Sequence, residues 1–516
     1  MSKIGFEQLI KSGQPYVDKS LFIMHAILQD DLPYVIAMPR GMGTSLNMDM
    51  LAEYLDAEKD SRELFDGLKI LKWEQFDSFL NRSPVLRFDM DGWGKGRGIK
   101  YEMGKALRRG ITKYLPEYMR TSEVDLIFKN KSETSAQNLA LVLENLYLKV
   151  GAPYLLIEGY TDFLLDFSKD STFNASKRYL RDALEFVLRN RKRPTRIIIA
   201  GHTNMEFEFF HQLKLAEPRY SGYFDDDFGL DEAEICSILP ESMREPAREW
   251  YGEVNISGKL KYTTSSVMSY LAGGELKGHR DDDRVLAKTI RLSGESSKDL
   301  IKLIKDIDNT SSIEPYNKEY GADFYGESDI LYSVAIRTGV LAYHLFKKDC
   351  RYGVEVKIPN KELYSAWIKQ VENYAAPSEL EAVLMKLADP SLDMEAFTLA
   401  LRQYLSARMS FFGLEEDAES YAYNLFYFGL CLLPQFDCRK AMGCGEEEMC
   451  IIGPGFGAFT IVDKVRKKPD LEFGSKYSLS RIERRDCDDD LEGCALRYGI
   501  GIGVYKHYVA VKAARL

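Results

Sequence analysis

A short segment near the N-terminus carries residue types that bind phosphate. The apolar run Tyr34–Ala37 is typical of a buried strand, and it leads into the sequence MPRGMGTSLN at positions 38–47. In a loop of the GxxxxGK[ST] kind, backbone N–H groups and the following helix N-terminus hold phosphates, and the lysine neutralises the outer phosphate oxygens. The Ser/Thr hydroxyl of that pattern binds Mg²⁺. Gly43 and Ser45 stand where this chemistry needs them.

Two positions of this loop depart from the pattern, because Thr44 replaces the lysine and Met38 replaces the first glycine. Without the lysine the charge of a triphosphate is poorly compensated, so we expect weak ATP binding or none. A structural alternative stays open, in which Thr44 and Ser45 are a helix N-cap pair that binds no ligand. The remnant phosphate loop, which holds the candidate cofactor-binding residues, consists of Arg40, Gly41, Gly43, Thr44 and Ser45. Ser45 is also a candidate metal ligand.

The elements that must position this loop alternate between strand-like and helix-like segments, which predicts a parallel sheet with crossover helices. Apolar runs predict buried strands at 34–37, 85–88, 154–157 and 197–200. Helices are predicted from Ser135, with three leucines on one side, and over 176–188.

The second half begins with helices and polar connections from Asp231 onward, including an amphipathic helix over 297–307. An apolar helix is predicted at 331–345, before an alternating strand at 352–360 and a helix from Lys361. A helical stretch at 396–433 precedes further strand signals. Those signals are at 459–462, 470–473, 500–504 and 508–511.

Composition and charge describe an ordinary soluble protein of 516 residues, 45% hydrophobic and 29% charged, which suggests roughly three or four domains. The net charge of −10 argues against a large basic footprint for nucleic acid, although a local basic patch remains open, for example at Arg466, Lys467 and Lys468. The sequence has no membrane-length apolar run, no apolar leader at its N-terminus and no disulfide-like framework, so we expect a cytoplasmic protein without a membrane partner.

Short motifs recur in one order along nearly the whole chain. They are YVDKS at 16–20, PRGMGTSLN at 39–47, ELFDGLKI at 63–70, EWY at 249–251, YTTSSVMSYL at 262–271, IPNKE at 358–362, GFGAFTI at 455–461 and LEFG at 471–474. In this order and over this length they resemble bacterial proteins that fuse an AAA-ATPase-like domain to a PD-(D/E)XK nuclease-like domain.

The resemblance implies an α/β fold in four parts and two cofactors, ATP and Mg²⁺. Residues 1–230 are expected to form a P-loop NTPase (AAA-like) core, and residues 231–315 a helical lid. Residues 316–405 are expected to form a winged-helix-like linker, and residues 406–516 a C-terminal PD-(D/E)XK nuclease-like α/β domain.

The resemblance also locates the ATPase residues, and several of them are changed. Glu158 stands where the family carries the metal-binding aspartate, and Gly159 stands where it carries the carboxylate that orients the attacking water. The segment at 200–204, which contains His202, lacks the family's arginine. Each such loss typically lowers a rate on the order of a hundredfold to a thousandfold. Glu158 keeps a charge and stays a candidate metal ligand.

The nuclease positions implied by the resemblance are changed in the same way. A PD-(D/E)XK site needs one acidic residue on a strand, and an acidic residue plus a lysine two positions later on the next strand. Thr460 occupies the first acidic position, Glu472 is the remaining acidic residue and metal candidate, and Gly474 replaces the lysine. Asp463 is a nearby substitute, but strand alternation places it on the face opposite Thr460.

These departures predict a catalytically degenerate relative of the fusion family, without ATP hydrolysis or DNA cleavage, that acts as a binding or scaffold protein. The alternative is an active ATP-dependent, metal-dependent nuclease with relocated residues, in which Glu158 holds the metal. Nucleic acid, bound weakly by a local basic patch, is the expected partner class, and a protein partner is not specified. The acidic runs at 225–227, 281–283 and 488–490 are interpreted as solvated turns rather than cation sites.

Overall fold

The computed structural model divides the chain into two compact units. The first comprises residues 1–277 and 336–342, and the second comprises residues 278–335 and 343–516. The described residues are 4–29, 34–90, 99–117, 136–159, 178–179, 181–185, 187, 195–202, 224–256, 259–279, 286, 289–290, 297–313, 335–336, 338–348, 351–410, 418–440, 448–485 and 491–516.

The first unit contains a four-stranded parallel sheet in the order β1-β4-β3-β2. Its strands are β1 Tyr34–Ala37, β2 Val85–Asp89, β3 Tyr154–Glu158 and β4 Arg196–Gly201, as the apolar runs predict. All four carboxyl ends lie at one edge of the sheet, which is where open α/β sheets bind ligands.

Helices cover both faces of this sheet. They are α1 Phe6–Ser12, α2 Leu21–Leu28, α3 Thr44–Leu55, α4 Phe76–Phe79, α5 Ile99–Tyr114 and α6 Ala136–Lys149, with 3₁₀ turns at Arg62–Phe65 and Lys69–Lys72. Residues of α1, α2 and α3 pack with Ile36 and Leu156, whereas residues of α5 and α6 pack with Val35 and Leu155. The predicted leucine side of α6, Leu139, Leu143 and Leu146, is buried.

A smaller group of helices follows within the first unit: α7 Glu232–Ile238, α8 Glu241–Tyr251 and α9 Thr264–Gly273, with the hairpin of β5 Val254–Ile256 and β6 Lys259–Lys261. The charged turn predicted at Asp231 is a capping box, in which Asp231 and Glu234 each accept the other's backbone N–H. Tyr251, Tyr262 and Tyr270 belong to the apolar cluster of this group.

The second unit begins with α10 Ser297–Lys305 and a three-stranded sheet, in the order β7-β9-β8, of β7 Ser311–Ile313, β8 Ala342–Lys348 and β9 Arg351–Lys357. Four helices follow, α11 Lys361–Ala375, α12 Pro377–Leu384, α13 Met394–Ser410 and α14 Ala418–Cys431, and a 3₁₀ turn at Met385–Ala388. Asn360 caps α11 by accepting the Leu363 N–H at 3.0 Å.

The C-terminal part of this unit is a five-stranded sheet in the order β10-β11-β12-β13-β14, in which only β12 and β13 pair in parallel. Its strands are β10 Asp437–Lys440, β11 Glu448–Gly453, β12 Phe456–Lys464, β13 Leu496–Tyr505 and β14 Tyr508–Arg515. Helix α15, Leu471–Glu483, connects the parallel pair. A Cβ atom on Gly501 would lie 2.2 Å from the Ser475 carbonyl oxygen, so glycine in β13 lets α15 approach closely.

Two predicted elements are wrong. Residues 470–473 begin α15 instead of forming a strand, because the short 3₁₀ turn Lys468–Asp470, with Pro469 in its first turn, starts a helix there. Residues 342–345 belong to β8 instead of a helix. A short apolar run fits either element, and pairing with neighbouring strands decides between them. The helix predicted at 176–188 lies mostly outside the described residues.

Candidate functional site

The connection between β1 and α3 has the backbone conformation of a phosphate loop. Gly41 and Gly43 have φ angles of 83° and 90°, which L side chains rarely adopt. Gly43 is the N-cap residue of α3. Thr44 is buried, and its Oγ1 has no hydrogen-bond partner within the described residues. The N-cap interpretation of Thr44 and Ser45 is therefore wrong, because the cap falls on a glycine and the Thr44 hydroxyl makes no capping bond.

The loop is held from outside by other segments of the first unit. The Ser265 N–H donates to the Gly41 carbonyl at 3.0 Å, and the Gly229 N–H donates to the Met42 carbonyl at 3.0 Å. The His202 Nδ1 lies 2.9 Å from the Met38 carbonyl oxygen. A carbonyl only accepts, so Nδ1 carries the proton, and His202 supports the loop backbone.

The amide groups of the loop remain available to an anion. Across the described ranges, no acceptor is bonded to the backbone N–H groups of Gly43, Thr44 and Ser45. Ser45 is exposed in the first turn of α3, and Arg40 is half-buried before the first glycine. The loop thus keeps its backbone donors and the N-terminal end of the helix dipole, but Thr44 supplies no charge where the lysine would.

The carboxylate that should hold a metal is engaged in an ion pair. The Arg87 side chain, from β2, places Nη2 at 2.7 Å from Glu158 Oε2 and also bonds the Asp49 carboxylate of α3. The Asp49 Oδ2 accepts the Phe6 N–H at 2.6 Å as well. The Glu158 side chain is only 10% exposed. Arg87 therefore bonds both carboxylates that could otherwise have held a cation.

The electrostatics of this ion pair favour a permanently charged guanidinium. Burial by itself lowers the pKa of Arg87, but Glu158 and then Asp49 more than reverse this effect, and the pKa lies above its usual value. An arginine that never loses its proton neutralises Glu158 at every physiological pH. Gly159, with a φ of 70°, follows Glu158 and offers no second carboxylate.

The predicted nuclease residues are not brought together. Glu472 lies in the first turn of α15, where it pairs with Lys512 at 3.4 Å and Arg402 at 3.8 Å. Gly474 is buried against the sheet, and a Cβ atom there would approach Val465 Cγ1 to 2.4 Å. A lysine at that position would not fit without movement, so Gly474 is a packing position. The assignment of Glu472 and Gly474 to a catalytic strand is wrong, because both residues are helical.

Two other carboxylates, from adjacent antiparallel strands, do converge in the second unit. Arg481 of α15 bonds Glu448 of β11, and its Nη1 lies 2.9 Å from Asp463 Oδ1 of β12. Arg485 Nη1 lies 2.9 Å from the other oxygen of Glu448, whose side chain is 8% exposed. Thr460 is buried on the face of β12 opposite Asp463, and its Oγ1 has no partner within the described residues. We call Glu448, Asp463, Arg481 and Arg485 the C-terminal ion-pair cluster.

The acidic run at 225–227 is not a solvated turn, since Asp225 and Asp227 are buried. The Asp227 Oδ2 lies 2.7 Å from His25 Nδ1, and Asp226 pairs with Lys259 at 3.3 Å and Lys261 at 3.5 Å. These contacts join the run to α2 and to β6. The runs at 281–283 and 488–490 lie outside the described residues.

Lys19, from the YVDKS motif, takes part in the same structural network. Its Nζ lies 2.7 Å from Glu234 and donates to the Asp226 carbonyl at 2.9 Å. Burial lowers the pKa of this ammonium group, although the bond to Glu234 opposes the shift. The motif thus joins the N-terminal segment to the cap of α7.

The part of the chain that the structure describes contains no group of three or more His, Cys, Asp or Glu side chains suited to hold a metal. Over the same residues, no helix combines the length and the apolar composition that crossing a bilayer requires.

Sequence reasoning missed the arginines that bond both carboxylate pairs. Arg87 lies between the apolar residues Leu86 and Phe88 of β2, and a charge beside buried residues is often paired, which is a signal the sequence offered. Arg481 and Arg485 lie on one side of a helix, and their partners are distant in sequence, so no local pattern identified them.

The open parallel sheet, the glycine loop after β1 and the helix that follows it define an AAA-ATPase-like core in the first unit. Residues 3–208, less than half of the chain, match the family model described as predicted AAA-ATPase. A solved structure, the Aeropyrum pernix ORC2 protein in ADPNP–ADP complexes, is similar at 11% identity over 71% of this chain and 91% of that chain. The TM-score of this similarity is 0.33. No curated protein matches the chain.

Proposed function

We propose that this protein is an AAA-ATPase-like binding protein that does not hydrolyse ATP, and that its nuclease-like C-terminal part does not cleave DNA. The proposal depends most on one observation, the bond between Arg87 and Glu158. A carboxylate held by a guanidinium is not available to Mg²⁺, and without Mg²⁺ the phosphate charge has neither the metal nor the missing lysine to balance it.

The loop residues support the same conclusion for catalysis. Thr44 has a short neutral side chain, and Gly159 has none, so neither position supplies a group that stabilises the transferred phosphoryl or orients water. The unbonded amides of Gly43, Thr44 and Ser45 leave room for weak anion binding. Recognition without turnover is therefore the behaviour that these residues favour.

The C-terminal ion-pair cluster supports the absence of cleavage. The motif at 455–461 and the adjacent strands β11 and β12 are the features that favour a nuclease-like assignment. Among the described residues of β11 and β12, Glu448 and Asp463 are the only carboxylates that bond the same partner. That partner is Arg481, which together with Arg485 neutralises both carboxylates and leaves neither open to a divalent cation.

The decisive experiment measures ATP hydrolysis and plasmid nicking by the full chain with Mg²⁺ and with Mn²⁺. We expect neither activity above background, and weak or undetectable heat when ATP is titrated with Mg²⁺. Turnover that disappears in Glu158→Gln but persists in the exposed-site control Glu74→Gln would overturn the proposal for the first unit.

The alternative, an active nuclease with relocated residues, makes a different prediction in the same assay. Glu448 and Asp463 are the only residues the cluster offers as relocated metal ligands. Metal-dependent nicking by the wild type that is lost in Glu448→Gln would establish the alternative and exclude the binding role as the sole function.

A further inference from the structure

The outer face of α15 presents two large aromatic side chains to solvent. Phe473 is 71% exposed and Tyr477 is 52% exposed. Their ring centroids lie 6.3 Å apart, and the ring planes differ by only 12°. We call these two side chains the aromatic platform. The inner face of α15 packs on the sheet through small residues such as Gly474, Ser475 and Ser478, so packing of the helix does not require either ring.

The platform lies in a basic stretch of an acidic protein. Between Lys464 and Arg485 there are eight Lys or Arg residues and three Asp or Glu residues, whereas the whole chain carries a net charge of −10. Arg481 and Arg485 turn inward to the C-terminal ion-pair cluster. The exposed cations of this stretch are Lys464, Arg466, Lys467, Lys468, Lys476 and Arg484.

Exposed cations lie close to the platform in sequence. Lys476 precedes Tyr477 in α15, and the ammonium of Lys468, in the 3₁₀ turn before α15, lies 3.6 Å from the ring centroid of Tyr508 in β14. Glu472, beside Phe473, is compensated by Lys512 and Arg402. The surface therefore combines exposed aromatic rings with exposed cations, which suits a flexible polyanion that carries flat apolar groups.

We propose that the outer face of α15 binds single-stranded nucleic acid. Bases stack on Phe473 and Tyr477, while Lys476 and the cations at 466–468 contact the phosphate backbone. Duplex DNA fits this surface poorly, because its bases are already stacked and expose only their edges. The inference goes beyond the proposed function, because the aromatic platform contains none of the paired carboxylates and requires no nucleotide or metal.

The test is fluorescence anisotropy of the full chain with a labelled oligothymidylate and with a duplex of equal length, at several salt concentrations. We expect the single strand to bind more tightly than the duplex, with an affinity that falls linearly on a log–log plot against salt. The double variant Phe473→Ala/Tyr477→Ala should weaken single-strand binding by about tenfold or more, because each lost stacking contact weakens binding.

Matched variants separate stacking from charge and from misfolding. Lys476→Glu should weaken binding and reduce the salt dependence, whereas Lys386→Glu, an exposed charge reversal elsewhere in the second unit, should not. Leu399→Ala removes another exposed apolar side chain and should leave affinity unchanged. Both rings are exposed, so we expect the double variant to unfold at the wild-type temperature.

Three results would overturn the proposal. One is absence of single-strand binding at low salt, and another is an unchanged affinity in the platform double variant. The third is equal competition by polyglutamate, which would indicate a general acidic-peptide or polyanion surface without base stacking. Restoration of binding by Phe473→Trp/Tyr477→Trp would support the proposal, since both substitutions retain a stacking face.

Discussion

The two carboxylate sites of this protein differ in how completely arginine neutralises them. In the first unit, Arg87 comes from a neighbouring strand and bonds two carboxylates, those of Glu158 and Asp49. In the second unit, two arginines from one helix bond two carboxylates, those of Glu448 and Asp463. Within these contacts, the first site keeps one negative charge in excess and the second is balanced.

This difference indicates which of the two sites a cation could more readily bind. The first site is opened to a cation by the loss of one arginine, whereas the second site needs the loss of two. The guanidinium in each case satisfies the carboxylates with fixed hydrogen bonds in place of a hydrated metal. The carboxylates of the second site are therefore more completely neutralised than those of the first.

The largest expected effect on stability comes from removing both arginines of the C-terminal ion-pair cluster. Arg481→Met/Arg485→Met leaves Glu448 buried without a partner, and we expect a loss of about 3–5 kcal/mol in the free energy of unfolding, measured by urea denaturation. Adding Glu448→Gln and Asp463→Asn to the double variant should recover most of this loss. A stability within error of the wild type would show that the cluster is not a buried ion pair in solution.

Breaking the first site should have a smaller effect. We expect Arg87→Met to lower the free energy of unfolding by about 2 kcal/mol, because the arginine is partly exposed and its hydrogen bonds to charged groups contribute about 1.5–3 kcal/mol. Mg²⁺ should raise the melting temperature of this variant but not that of the wild type. The exposed pair of Arg62 and Asp77 supplies the control, Arg62→Met, for which we expect about 0–1 kcal/mol. A wild-type protein that Mg²⁺ stabilises equally would contradict the comparison.

Adding a positive charge to the loop should strengthen ATP binding without producing ATP hydrolysis. Thr44→Lys should tighten ATP binding about tenfold in calorimetric titration, a change of about 1.4 kcal/mol, because it supplies the charge that the loop lacks. Hydrolysis should stay at background, since Glu158 remains paired and Gly159 provides no carboxylate. Hydrolysis by this single variant would show that Arg87 does not block the site.

The smallest expected effect is a dependence of stability on pH. It distinguishes the arginine ion pairs from the ion pair of His25 and Asp227. The hydrogen bond to Asp227, against the opposing effect of burial, raises the pKa of His25. A raised folded-state pKa stabilises the protein fully below the unfolded value of about 6.5, and this contribution is lost as pH rises through the folded value.

We therefore expect wild-type stability to decrease as pH rises from about 6 to about 9, and we expect His25→Gln to reduce that decrease. Thermal melting at both pH values measures it. The arginine sites should contribute nothing to this slope, because a guanidinium stays protonated throughout. An identical slope in wild type and variant would remove His25 as its source.

The strand runs at 34–37, 85–88, 154–157 and 197–200 were predictable because continuous apolar segments between turn signals require burial on both faces. The loop was predictable because glycine at positions 41 and 43 permits φ angles that other residues avoid. The start of α15 was not predictable, since residues 470–473 fit a strand as well as a helix. The role of Glu472 was consequently misassigned.

The amino-acid sequence by itself determined that Thr44 and Gly159 supply no charge to the loop or to the end of β3, because neither residue can carry charge in any fold. Only the tertiary structure decided what the remaining carboxylates do. Arg87 and Arg481 reach their partners from 71 and 33 positions away, respectively. An ion pair depends on distance and burial, and chain folding sets both.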